Sequence, residues 1–184
     1  MHERRLLNAG RSLIAAVAAA LALIAPVGLP RAAAMGAASA PAADAPGFKV
    51  TPIDQRRPFD SRERLGKRVV VVRFQASWCK PCGKEAAAFA RVVERYRPRG
   101  VDFIGLHVQD TATSTRRFVK SHPTPYPVAL DPRLAIANQF GFKGTPSTVV
   151  IDRQGRIAAR IDGQSAAARL PRILDETLRT ERKP

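Results

Sequence analysis

The chain contains two cysteines, and they lie three residues apart in the segment Trp78-Cys79-Lys80-Pro81-Cys82. A strand-like run from Val69 to Gln75 precedes this segment, and a helix-like run from Lys84 to Tyr96 follows it. If a helix begins near Cys79, a spacing of three places both sulfur atoms on one side of its first turn. Two thiols in that position can form a disulfide bond and reopen it, which is the chemistry of electron exchange with other sulfur atoms.

The position of Cys79 predicts a thiol that ionises easily. The first turn of a helix carries unpaired N–H groups and the positive end of the helix dipole. A thiol placed there has a pKa below the ordinary value of about 8.5. Lys80 adds a nearby positive charge, and Pro81 lacks an N–H group that the first turn would leave unpaired anyway. We therefore expect Lys80 and Pro81 to tune the site.

Other uses of the cysteine pair fit the sequence less well. A structural disulfide closing so small a loop would stabilise the fold little. A zinc site needs four ligands, and the three histidines, His2, His107 and His122, show no ligand spacing relative to the cysteines. We therefore predict no metal site and no other cofactor. Two thiolates do suit Cu(I), so a copper chaperone is the alternative, although the only methionines are Met1 and Met35.

The first 34 residues have the layout of an export signal. They begin with arginines, continue with the apolar run from Ser12 to Leu29 and end with small residues. This segment is either a cleaved signal peptide or a retained membrane anchor, and both place the rest of the chain in the periplasm. Residues 35–46 are rich in alanine and proline and are predicted to be a linker. Residues 47–184 are predicted to form the folded domain.

The chain is strongly basic, with a formal net charge of +16. Nucleic acid is the obvious partner to consider for such a chain. However, the arginines are spread along the sequence, and no basic patch is interleaved with aromatic residues. We therefore predict no nucleic-acid partner and expect solvated arginine faces, which could lie near an anionic membrane surface.

The order of predicted elements is β-β-α-β-α-β-α-β-β-α, which indicates an α/β fold with a mixed sheet. The helix after the cysteines carries one apolar stripe over residues 89–96. Asp131 followed by Pro132 predicts the start of another helix, which ends at Phe140. Pro171 predicts the start of the last helix.

These motifs resemble those of the TlpA/ResA group of exported thiol–disulfide oxidoreductases, in the thioredoxin superfamily. The matching segments are Ala45-Pro46-Gly47-Phe48, Phe74 to Cys82, Gly141 to Thr148 and Val150 to Ile157. The resemblance implies a thioredoxin-like fold with a central mixed β-sheet flanked by helices. It also implies an extra N-terminal β-hairpin and a helical insert.

The resemblance assigns roles to five residues. It implies that Cys79 is the attacking thiol and that Cys82 resolves the mixed disulfide. The bond between Thr145 and Pro146 is expected to be cis, which lays the backbone of Thr145 beside Cys79. A substrate segment could pair with that backbone as an added strand. Trp78 is expected to bind substrate together with Thr145 and Pro146.

A glutamate and an arginine complete the predicted site. In the family, a glutamate at the position of Glu85 assists proton transfer, whereas the alternative is a solvated helix residue. Arg73 departs from the family, because thioredoxin has a buried aspartate there and TlpA-like proteins often have asparagine. A buried guanidinium needs a carboxylate or a route to water. We hypothesise that Arg73 pairs with Glu85 and favours its ionised form; the alternative is that its side chain extends outward to solvent.

The resemblance implies an enzyme that exchanges thiols with disulfides of protein substrates outside the cytoplasm. Its electrons would come from a membrane donor of the DsbD type, and cytochrome or copper-site cysteines are candidate substrates. Ala76 stands where peroxiredoxins require threonine, which disfavours a peroxidase. Ser147 stands where cytochrome c maturation reductants often have glutamate, which weakens that narrower assignment. The motifs favour a reductant but do not fix the direction of electron flow.

Overall fold

The computed structural model describes residues 43–180, so the predicted signal or anchor at 1–34 and linker residues 35–42 lie outside the described residues. The domain begins with a short antiparallel hairpin of β1 (Lys49–Val50) and β2 (Phe59–Asp60). The two strands are so short that only two residue pairs face each other. This hairpin is the predicted N-terminal addition.

A separate five-stranded sheet forms the centre of the domain. Its strands are β3 (Val69–Gln75), β4 (Val101–Val108), β5 (Val128–Asp131), β6 (Ser147–Ile151) and β7 (Ile157–Asp162). They lie in the order β5-β4-β3-β6-β7, with β3, β4 and β5 parallel and β6 antiparallel to both β3 and β7. The mixed sheet of the sequence prediction is therefore confirmed.

Three α-helices surround the sheet: α1 (Lys80–Tyr96), α2 (Ala112–Ser121) and α3 (Ala166–Thr180). Every residue of β3 is buried, because apolar groups cover both faces of this central strand. On one face Val71 packs into a cluster with Phe89 of α1 and Leu170 of α3. The opposite face carries a second cluster, which includes Phe48 beside the hairpin. The continuous β-branched run is thus explained by burial on two sides.

The last helix begins five residues earlier than the sequence predicted. It starts at Ala166, and Pro171 lies inside it. A proline there removes one intrahelical hydrogen bond. Burial of Ala166 and Leu170 against the core favours the longer helix. The Pro171 carbonyl also accepts a hydrogen bond from the hydroxyl of Tyr96 at 2.9 Å.

The predicted helix from Asp131 to Phe140 is also wrong, because only Ala137–Phe140 is helical and that turn is of the 3-10 type. Asp131 instead ends β5. Its carboxylate still caps the helical turn, since Oδ2 accepts the backbone N–H of Ala137 at 2.8 Å. The sequence therefore identified the capping residue correctly. Its carboxylate, however, accepts from an N–H group six residues later and not from the turn that directly follows it.

The start of the described chain is held to the edge of the sheet. Asp44 forms an isolated antiparallel bridge with Arg156, and the Ala45 N–H donates to the Gly155 carbonyl at 2.8 Å. Within residues 43–180, none of the helices combines the length and the apolar character needed to span a bilayer.

Candidate active site

The two cysteines lie where the central strand turns into the first helix. Cys79 is the N-cap of α1, and its sulfur accepts the backbone N–H of Cys82 at 3.2 Å. Their sulfur atoms form a disulfide bond of 2.06 Å, with the Cα atoms 5.3 Å apart. Pro81 occupies the first turn without disturbing it. The predicted placement of both sulfurs on the first helical turn is confirmed.

The cysteines are buried, but their neighbour is not. Cys79 is 4% exposed and Cys82 is 1% exposed, and both belong to a small buried cluster with Ala76 and Phe118 of α2. Trp78, directly before Cys79, is 56% exposed, and its indole N–H donates to the Gln109 carbonyl at 3.3 Å. Lys80, on the other side of Cys79, is also exposed. An anchored apolar side chain therefore stands in solvent beside a shielded sulfur.

The Thr145–Pro146 peptide bond is cis, as predicted. Strand β6 begins at the next residue, and Ser147 is paired with Phe74 of β3. The cis bond therefore lies at the same end of the sheet as the turn that carries Cys79. Among residues 43–180, neither the N–H nor the carbonyl of Thr145 has a hydrogen-bond partner, so both are open to pairing.

Arg73 of β3 and Glu85 of α1 form a buried ion pair. Arg73 is 1% exposed, and its Nη2 donates to Glu85 Oε2 at 2.9 Å. The other oxygen, Oε1, accepts the backbone N–H of Ala167 at the start of α3, also at 2.9 Å. The guanidinium carbon lies 4.4 Å from the centre of the Phe89 ring. The hypothesised pairing is confirmed, and the alternative of an outward side chain is wrong.

A chain of buried polar side chains continues from this pair and was missed by the sequence analysis. Gln75 Oε1 accepts from Arg73 Nε and from the Tyr126 hydroxyl, each at 3.2 Å. The amide nitrogen of Gln75 lies 3.0 Å from His107 Nε2, and His107 Nδ1 lies 2.9 Å from Asp110 Oδ2. One signal could have revealed the chain: Arg73, Gln75 and His107 are polar residues inside otherwise apolar central strands.

Burial and hydrogen bonding fix the charges at the far end of this chain. Burial lowers the pKa of His107, and the hydrogen bond and charge of Asp110 offset only part of that effect. Burial alone would raise the pKa of Asp110, but hydrogen bonds from His107, Ser77 and Thr111 lower it on balance. A neutral imidazole therefore faces an ionised carboxylate at neutral pH.

A histidine ring covers the helix next to Cys82. A Cβ atom built on Gly83 would lie 2.7 Å from His122 Nε2, too close for any side chain to fit without movement. The imidazole stacks on Phe118 with ring centres 4.3 Å apart, and its Nδ1 lies 3.1 Å from the Phe118 carbonyl. Glycine at position 83 thus permits the ring to pack against the first turn.

The described part of the chain contains no group of three or more histidine, cysteine, aspartate or glutamate residues arranged to hold a metal ion. His107 and Asp110 are two potential metal ligands that lie close together. Their polar atoms, however, are already engaged in hydrogen bonds to protein groups.

Comparison with known proteins identifies a family and several relatives of this chain. The model of the AhpC/TSA family matches residues 41–160. The thiol-disulfide oxidoreductase ResA of Bacillus thuringiensis subsp. konkukian is 30% identical over 131 residues, which cover 71% of this chain and 75% of the relative. A ResA of Bacillus cereus is 29% identical over 133 residues, covering 72% of this chain and 76% of the relative. The thiol:disulfide interchange protein HelX of Rhodobacter capsulatus is 29% identical over 121 residues, covering 65% and 66%.

Solved structures with the same fold include a thiol:disulfide interchange protein of the thioredoxin family from Chlorobium tepidum TLS. It has a TM-score of 0.67 at 28% sequence identity and covers 77% of this chain and 99% of its own. The MTB dsbF structure has a TM-score of 0.64 at 23% identity, covers 71% of this chain and 94% of its own, and supports the fold alone. With a thioredoxin-like sheet, a disulfide at the N-terminus of α1 and these relatives, the chain belongs to the AhpC/TSA family and is a protein thiol–disulfide oxidoreductase.

Proposed function

We propose that this enzyme works outside the cytoplasm as a reductant of protein disulfides, through the Cys79/Cys82 dithiol. The observation that carries the proposal is the placement of a shielded, bondable sulfur pair at a helix N-terminus. The exposed indole of Trp78 and the unpaired backbone of Thr145 lie at the same end of the sheet. Shielding limits loss of electrons to solvent oxidants, while the two neighbours offer contacts to a protein chain.

The reaction has two exchange steps. The Cys79 thiolate attacks one sulfur of the substrate disulfide, so a mixed disulfide forms and one substrate thiolate leaves. Cys82 then loses its proton and attacks Cys79 Sγ. The Cys79–Cys82 bond forms, the mixed disulfide breaks and the second substrate thiolate leaves. Two electrons pass to the substrate, and the enzyme ends in the disulfide form.

Glu85 is proposed to receive the proton of Cys82. It lies one helical turn beyond Cys82, and it is the carboxylate of α1 nearest to that residue in sequence. Each of its oxygens accepts one hydrogen bond, so lone pairs remain available. The ion pair with Arg73 and the hydrogen bond from Ala167 would hold this carboxylate in one position.

Substrate is proposed to bind across the mouth of the site. An extended segment would pair with the free N–H and carbonyl of Thr145, next to the cis bond to Pro146. The indole of Trp78 would cover an apolar side chain of the same segment. Lys80 and Pro81, inside the sulfur loop, would tune its redox potential.

The same proposal includes export of the domain and reduction of its Cys79–Cys82 disulfide after each reaction. The signal-like residues 1–34 would carry the domain to the periplasm, free after cleavage or held at the membrane. There, a donor dithiol of a DsbD-type membrane protein would reduce the Cys79–Cys82 bond, with two electrons moving to the enzyme. Substrate cysteines of cytochromes or copper sites are the proposed targets.

Redox titration against glutathione tests the direction of transfer. A reductant should have a potential well below that of the glutathione couple, whose cytosolic poise is about −220 to −320 mV depending on method. A value well above it would show an oxidant. A Cys82→Ser variant should accumulate mixed disulfides through Cys79. Equal trapping by Cys79→Ser would contradict this assignment of the two roles.

The copper alternative has its own test. The two thiolates of the reduced site are soft ligands that suit Cu(I). Anaerobic Cu(I) titration of the reduced protein separates the two functions: tight stoichiometric binding would favour a carrier, and weak binding supports the reductase.

A further inference from the structure

Asp110 is fully occupied as a hydrogen-bond acceptor, and half of its donors belong to the segment before Cys79. Oδ2 accepts the Ser77 backbone N–H at 2.7 Å, and Oδ1 accepts the Ser77 hydroxyl at 2.9 Å. Oδ1 also accepts the Thr111 N–H at 2.9 Å, and Oδ2 lies 2.9 Å from His107 Nδ1. Four donors on two oxygens require a carboxylate, because an amide would offer one oxygen and turn its own donors toward the others.

The buried hydrogen bonds that lead from Arg73 to Asp110 have a defined donor and acceptor at each step. Arg73 and Tyr126 both donate to Gln75 Oε1, so the amide NH₂ of Gln75 must face His107. That NH₂ group donates to Nε2 of His107, which places the ring proton on Nδ1. The Nδ1–H then donates to Asp110. Asp110 Oδ2 therefore accepts from His107 on one side and from the Ser77 N–H on the other.

The turn between β4 and α2 makes a second contact with the same segment. Gln109 has φ of 50°, a conformation that few residues other than glycine adopt. In this conformation its carbonyl accepts the indole N–H of Trp78 at 3.3 Å. Unusual backbone at such a place suggests a functional constraint. Adjacent residues of one turn therefore hold Ser77 and Trp78, the two residues that precede the attacking cysteine.

We propose that the turn Gln109–Asp110 positions Trp78 and Cys79 for exchange, with Asp110 as the positioning residue. The carboxylate fixes the backbone at Ser77, and the Gln109 carbonyl fixes the direction of the indole. Trp78 thereby keeps one orientation although more than half of its surface is in solvent. The part of the proposal that concerns protein substrates rests on the proposed function, because it takes Trp78 as a substrate contact.

The test compares Asp110→Asn with a matched control, Asp152→Asn. Asp152 is 6% exposed, close to the 8% of Asp110, and it also accepts several hydrogen bonds, including those from Arg156. It follows β6 at the opposite end of the sheet from the cysteines. Both variants should lose stability, so a loss of stability alone does not distinguish them. Ser77→Ala, which removes one donor and leaves the backbone N–H in place, is a milder variant should Asp110→Asn fold poorly.

Two measurements are made on each reduced protein. Trp78 is the only tryptophan of the chain, so acrylamide quenching of fluorescence reports on its anchoring. The second measurement is the second-order rate constant of a single turnover, in which the reduced enzyme is oxidised by a protein disulfide, insulin, or by a small one, oxidised glutathione. We expect stronger quenching and a fall of about tenfold with insulin in Asp110→Asn, since small displacements of reacting groups have large kinetic effects. We expect a smaller fall with glutathione and an intermediate effect in Ser77→Ala.

The proposal is overturned if quenching and the insulin-to-glutathione ratio in Asp110→Asn and Ser77→Ala match those of Asp152→Asn. Asp110 would then be a structural residue only. Failure of the wild-type enzyme to reduce insulin would instead refute the proposed function. The quenching comparison would still decide whether Asp110 anchors Trp78.

Discussion

Removing both charges of the Arg73–Glu85 pair is expected to destabilise the domain by less than the sum of the two single removals. The pair is deeply buried, with side-chain exposures of 2% and 10% and a contact of 2.9 Å. Breaking a buried ion pair by removing one partner costs about 3–5 kcal/mol, because the other charge stays buried without compensation. We therefore expect Arg73→Met and Glu85→Gln each to lower the free energy of unfolding by about that amount.

The double variant should lose much less than the sum of the two. A methionine can cover the ring of Phe89, and a glutamine carbonyl can still accept the N–H of Ala167. Neither charge of the pair then remains in the core. Since contacting residues couple by up to about 3 kcal/mol, we expect a coupling energy of about 2–3 kcal/mol from the complete cycle.

The assay is denaturant unfolding of the oxidised protein at neutral pH, with the slope m checked for each variant. Lys49 and Asp60 form the control pair, because their charges are 3.6 Å apart and the lysine is 62% exposed. Exposed pairs couple weakly, so this cycle should be close to additive. The reasoning is refuted if the Arg73 and Glu85 losses add to within about 0.5 kcal/mol, the ordinary limit for independent sites.

Three further predictions concern residues around the site. Burial lowers the pKa of His107, so below about pH 6.5 the unfolded chain takes up a proton that folded His107 does not. The free energy of unfolding should therefore be highest above about pH 6.5 and should fall as the pH drops below that value. Unfolding midpoints measured at several pH values should show this slope, and His107→Asn should reduce it. Gly83→Ala should cost about 1–3 kcal/mol through overpacking against His122, and a His122→Ala change in the same protein should recover most of the loss, whereas equal losses with and without the histidine ring would contradict the contact. Tyr126→Phe should cost only about 1 kcal/mol in thermal or chemical unfolding, because the Gln75 carbonyl keeps a second donor; a loss several times larger would mean that the hydroxyl organises the buried chain.

The sequence was sufficient to predict the central sheet and much of the site. The β-branched run of β3, the helix beginning at Cys79 and the cis bond before Pro146 all follow from local residue types and family motifs. The Arg73–Glu85 pair was also predicted, because a charge inside a buried strand needs a partner and the family places a glutamate near the cysteines at this position. Local rules and the cost of burying charge were enough for these features.

Other features depended on tertiary contacts that no local pattern encodes. The row of hydrogen-bonded side chains from Gln75 to Asp110 connects β3 to β4. It forms because the parallel pairing of these two strands places Gln75 opposite His107. The start of α3 before Pro171 depends on burial of Ala166 against the core. The short helical turn after Asp131 depends on a carboxylate that reaches several residues ahead. Propensities predicted a helix in both regions but not where it begins.

The central claim is that Cys79 is an activated thiolate at neutral pH. The most direct measurement is the alkylation rate of Cys79 in the reduced protein as a function of pH, with each cysteine resolved by mass spectrometry. We predict a midpoint for Cys79 well below the value of about 8.5 for a free cysteine, and slow alkylation of the more buried Cys82. If both sulfurs instead titrate like free cysteine, or both resist alkylation across the range, the account is contradicted.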